Sequence, residues 1–179
     1  MNDIPLFDSL THPTLDGTWI GSAAVNNTLP ELESEMSAHN INWAFAVGMK
    51  DTGGYSLEAY ADYIRSASQK VFPIAYYDFN ESDTGRELIS KLENISRCGY
   101  LGIKLHPVLS GIDIRSEGLR EVFCEAGSRK LPVLFCTFLC RQAYHGLPCS
   151  YLDFGPLLDS LAEPSKIILL HGGDVKYSG

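Results

Sequence analysis

The chain has 179 residues, is 45% hydrophobic and 20% charged, and carries a formal net charge of -8. That length supports a sizeable core, while the acidic balance argues against a nucleic-acid surface or a polybasic membrane patch, both of which need clustered Lys and Arg. The apolar runs fall far short of the roughly 20 residues a membrane span needs. The first residues lack the basic and apolar regions of a signal peptide. Five irregularly spaced cysteines (Cys98, Cys124, Cys136, Cys140 and Cys149) then point to reduced thiols and a cytoplasmic setting.

In chain order, residues 4–9 read as a first strand, followed by a polar loop with His12 and Asp16. Thr28-Leu-Pro-Glu31 has capping-box spacing and predicts a helix over 28–39. A second strand is expected at 43–49. Ser56 should cap a helix over 56–69, with Leu57, Tyr60, Ala61 and Ile64 on one face. A strand at 71–78 and a helix at 85–96 come next, the helix closed by Gly99. Strand 100–106, helix 117–129, strand 131–138, a long loop over 140–153 with His145, helix 156–162 and strand 166–171 complete the pattern.

Six strand-then-helix units, with strands apolar on both faces, predict a parallel sheet. The fold class is therefore α/β, either a doubly wound sheet or a TIM-barrel-like repeat with about six of eight units. No strand is followed by Gly-x-Gly-x-x-Gly, and no P-loop is present. The reactive side chains (Asp8 and His12, Asp78, Lys104 and His106, Cys136, His171) gather at the C-terminal ends of the strands, which favours the barrel.

The fourth strand, Gly102-Ile-Lys-Leu-His-Pro107, carries the most chemistry. Residues at i and i+2 of a strand share a face, so Lys104 and His106 should project together, and Pro107 should end the ladder. A buried charge costs several kcal/mol or shifts its pKa, so such a strand end reads as catalytic or ligand-binding. A surface Lys and a hydrogen-bonded loop His are the plainer alternative.

Three motifs carry a family likeness. Gly102-Ile-Lys-Leu-His-Pro107, Leu131-Pro-Val-Leu-Phe-Cys-Thr137 and Lys166-Ile-Ile-Leu-Leu-His-Gly-Gly173 occur in this order. With them the chain resembles the amidohydrolase-related family of TIM-barrel metal-dependent hydrolases, the branch that includes aminocarboxymuconate-semialdehyde decarboxylase and dicarboxylate lactonases. The resemblance implies one β/α domain over 1–179, short at its C-terminal end. It implies a metal-dependent hydrolase or decarboxylase acting on a small carboxylate, lactone or amide. The family's first strand carries Asp-x-His-x-His, whereas this chain has Asp8-Ser-Leu-Thr-His12, with Leu10 in place of the first histidine. Cys136 matches the fifth-strand metal histidine, and the eighth-strand aspartate has no counterpart before Gly179.

The resemblance makes His12 and Cys136 the expected metal ligands, with His171 or His106 as a third for a divalent ion, Zn2+ first, because catalytic zinc takes three protein ligands and a water. Lys104 is expected to pair with a substrate carboxylate, His171 to act as general acid and base, and His106 to orient the substrate. Two other readings stand beside this one. A relative that has lost its metal site would be a non-catalytic binding or interaction protein, and Leu10 motivates that reading. Cys136 could act as a nucleophile near His171, although a cysteine on an apolar strand also fits a small buried hydrophobe. The expected partner is a small molecule, with no nucleic acid and no membrane. Exposed sheet edges add self-association into a homo-oligomer.

Overall fold

The computed structural model describes residues 4–20, 26–83, 85–137, 154–161 and 166–171. Six strands and six helices run β1 (Leu6–Thr11), α1 (Leu29–Ala38), β2 (Ile41–Val47), α2 (Leu57–Ala67), β3 (Val71–Tyr76), α3 (Arg86–Arg97), β4 (Ile103–Leu105), α4 (Pro107–Ser110), α5 (Glu117–Ser128), β5 (Val133–Cys136), α6 (Phe154–Asp159) and β6 (Ile167–Leu170). Strand order follows chain order, and every pairing with a described register is parallel. This is the β/α repeat expected from the alternating apolar strands and amphipathic helices. The 140–153 loop lies outside the described residues. No described helix is long and apolar enough to cross a membrane.

The chain divides into two compact units, Met1–Tyr76 with Ile95–Leu101, and Tyr77–Asn94 with Gly102–Gly179. In the first, α2 lays Tyr60, Ala61 and Ile64 into a core with Ala44, Ala46, Val71 and Ile74. Ser56 caps α2 as expected, its side chain accepting from the Ala59 N–H. Gly99, with φ of +84°, turns the chain after α3, a conformation that glycine adopts without steric cost.

Two local expectations fail there. The Thr28 side chain does not cap α1. Its hydroxyl turns to Asn26 Oδ1 at 3.4 Å, and the Asn26 amide donates to Glu31 at 3.2 Å, so one asparagine takes both halves of the box. The Leu29 N–H donates to Tyr63 Oη instead. β1 is also less buried than an apolar strand should be. Leu6 and Phe7 are 49% and 45% exposed, because β1 lies at the end of the strand order and, among the described residues, has β2 as its one neighbour.

In the second unit, α5 sets Leu119, Val122, Phe123 and Ala126 against the fully buried β4 and β5. Phe123 and Phe135 meet with ring centroids 5.6 Å apart. Ser116 caps α5 by accepting from the Leu119 N–H. β4 is shorter than the 100–106 expectation. It ends at Leu105, and His106 becomes the N-cap of α4, with Pro107 in the first helical position. Proline's fixed φ favours a helix start as readily as a strand end.

Candidate active site

The β4–β5 register pairs Ile103 with Val133, Lys104 with Leu134 and Leu105 with Phe135. One step further, the same spacing brings His106 alongside Cys136. Partners across a parallel pair share a face, and so do residues two apart, so Lys104, His106 and Cys136 converge on one face. The measured contact agrees, with His106 Nε2 3.5 Å from Cys136 Sγ. Lys104, His106 and Cys136 were all expected at the C-terminal strand ends, and the register supplies the particular pairing of His106 with Cys136. β6 pairs Leu170 with Cys136, and His171 follows directly, with φ of +57°. The Thr137 hydroxyl, buried and passed over by sequence reading, donates to the Leu170 carbonyl and ties the two strand ends together.

Lys104 is 3% exposed. Burial pushes its ammonium down to about 8, and Cys136 acts in the opposite direction. The group is still mostly protonated at neutral pH. Burial pushes His106 down to about 4, with the Lys104 charge second and His171 adding to it. The ring is therefore neutral at neutral pH and holds one proton. Its Nδ1 accepts from the Leu109 N–H at 3.3 Å, which leaves the proton on Nε2, facing the sulfur.

His12, just past β1, lies in the first unit. Its Nδ1 is 2.8 Å from the Val47 carbonyl, which can only accept, so Nδ1 carries a proton. Its ring stacks on Trp19 at 5.0 Å. Asp8 turns inward on its own chain and accepts from the Leu10 N–H. Asp78 is exposed in the loop after β3. Among the described residues, no three His, Cys, Asp or Glu side chains come together to hold a metal ion.

The architecture is that of TIM-barrel proteins. An uncharacterised TIM-barrel protein from Bordetella bronchiseptica superposes with a TM-score of 0.64 at 16% identity, over 93% of this chain and 66% of its own. A probable 2-pyrone-4,6-dicarboxylic acid hydrolase from Acinetobacter baumannii, with citric acid bound, gives 0.58 at 16% identity, over 93% of this chain and 58% of its own. A protein from Agrobacterium tumefaciens in its apo form gives 0.57 at 13% identity, over 88% and 54%. The chain thus spans between about half and two thirds of these structures. At such identities the likeness is one of fold. No family model and no curated protein matches the sequence.

Proposed function

We propose that the strand ends of the second unit form a hydrolase site for a small carboxylated ester, lactone or amide. The observation that carries this reading is the buried ammonium of Lys104 at the end of a barrel strand, beside His106 and Cys136. A buried cation at a strand end is suited to a substrate carboxylate, which lysine meets as a flexible point charge. The Acinetobacter protein, by its name a dicarboxylic acid hydrolase and holding citric acid, supports a small polycarboxylate as the substrate class. Lys104 binds the carboxylate. Neutral His106, pinned by the Leu109 N–H, orients the substrate. His171, at the end of β6, protonates the leaving oxygen. No step runs through a metal.

The test is turnover of 2-pyrone-4,6-dicarboxylate and a panel of carboxylated lactones, esters and amides by the 179-residue chain. Lys104→Ala should lower kcat/KM, and His171→Ala kcat, each by about a hundredfold or more. Unchanged rates in both variants would end the assignment. Citrate binding without turnover would favour the non-catalytic reading, which the leucine at position 10 already motivates.

A further inference from the structure

We propose that Thr137 is the positioning residue for His171, its buried hydroxyl fixing the left-handed turn that sets His171 at the strand ends of the site. The part His171 plays in turnover rests on the hydrolase reading, whereas the clamp itself is a matter of geometry. Alternation along a strand shows why a turn is needed. β6 pairs Leu170 with Cys136, so these two share a face with Lys104 and His106. One more extended residue would fall on the opposite face, away from all of them. His171 is that residue, and its φ of +57° breaks the alternation. Its contribution to lowering the His106 pKa accords with a place near that ring.

A left-handed backbone is costly for a residue with a Cβ. Among the described residues, Asn40, Asp51 and Lys130 also have positive φ. Asn40 and Lys130 close α1 and α5, where such a residue is common, and Asp51 lies in a turn, where aspartate tolerates it. His171 instead follows a strand, and a strained backbone persists only where its surroundings hold it. The Leu170 carbonyl is the handle. Its oxygen lies in the plane of the Leu170–His171 peptide, so fixing that oxygen fixes the plane from which φ of His171 departs. The Thr137 hydroxyl donates to it. Thr137 is 3% exposed, and its branched Cβ restricts χ1, so the hydroxyl is held at an ordered point. By alternation Thr137, one step past Cys136, falls on the face away from Lys104. It acts on a substrate only through His171.

Two measurements test this, with Thr137→Val removing the hydroxyl and Thr137→Ser keeping it. The first is structural. At positive φ the amide and α protons of a residue lie closer together than in extended or helical backbone. In the NMR spectrum of isotope-labelled protein, His171 should therefore give a strong intraresidue amide–α cross-peak. Thr137→Val should weaken it, and Thr137→Ser should retain it. A weak cross-peak in the unaltered protein, or one as strong in Thr137→Val, overturns the proposal. Should Thr137→Val not fold, the change is made together with His171→Gly, because glycine takes the left-handed turn without a clamp. A folded double variant supports the clamp. Failure of the double variant to fold makes Thr137 a general packing residue and overturns the proposal. The second measurement is kinetic, with 2-pyrone-4,6-dicarboxylate and the carboxylated panel. Thr137→Val should lower kcat about tenfold or more and change KM less than about twofold, since Lys104 still binds the carboxylate, and Thr137→Ser should recover most of the loss. A raised KM at unchanged kcat overturns the proposal and leaves the hydrolase reading standing. A cross-peak lost in Thr137→Val, with no turnover of any compound by the unaltered protein, supports the clamp and ends the hydrolase reading.

Discussion

Lys104 carries opposite consequences for stability and for binding. Its pKa falls from 10.5 to about 8 on folding, chiefly by burial. Between those values the unfolded chain holds the proton more tightly, so this group makes stability rise as pH rises from about 8 to 10.5. Below about 8 the full cost of burying the cation is present, up to about 3 kcal/mol for a shift of this size. Lys104→Met keeps the bulk of the side chain and removes the charge. It should abolish carboxylate binding at pH 7. Calorimetric titration with citrate checks this, and unchanged binding would remove Lys104 from the site. For the same reason carboxylate affinity should weaken above about pH 8. His106 has the same sense at acid pH, since a pKa lowered to about 4 makes its contribution to stability fall between 6.5 and 4.

At the scale of the element, the helix starts separate sequence signal from structural outcome. Ser56 and Thr28 both stand at N-caps preceding helical patterns, and only Ser56 bonds the helix with its side chain. Ser56→Ala should therefore cost about 1 kcal/mol, and Thr28→Ala much less. Urea denaturation of the two variants tells them apart, and equal losses would contradict the diverted hydrogen bonds at Asn26. The short β4 belongs to this scale as well. Pro107 serves as the first residue of α4, and the resulting turn points the Leu109 N–H at His106 Nδ1. A strand running on to residue 106 would have left the ring free to take either tautomer. Four residues of helix thus decide which nitrogen faces Cys136.

Across the whole molecule, six strands in sequential order and parallel pairing reproduce a TIM-barrel arrangement over 93% of the chain, against structures that are themselves longer. In the barrels this fold defines, chemistry sits at the C-terminal ends of the strands. Lys104, Cys136 and His171 lie at or just beyond such ends. Metal dependence is a property of the whole chain and can be measured on it. Protein purified without chelator or added metal should carry far below one zinc per chain by elemental mass spectrometry, and EDTA should leave Tm and turnover unchanged. A stoichiometric metal lost to chelator, with a fall in Tm, would show that the ligand set closes through residues beyond those described.

Much of this protein was legible in its residues, because the signals concerned are local. The alternation of apolar strands with amphipathic helices, the Ser56 cap, the Gly99 turn and the expensive Lys104 all follow from propensities and spacings within a few residues of one another. The departure of the Asp8 to His12 segment from a metal-binding pattern was equally visible. The pairing of His106 with Cys136 was not, because it depends on the register between two strands 30 residues apart in sequence. Nor was the proton on Nε2, which depends on a short helix that strand propensity hid. Sequence determines which side chains a strand end can offer. Tertiary structure decides which of them meet, since register, burial and a neighbouring N–H set both the distance and the protonation state on which the chemistry depends.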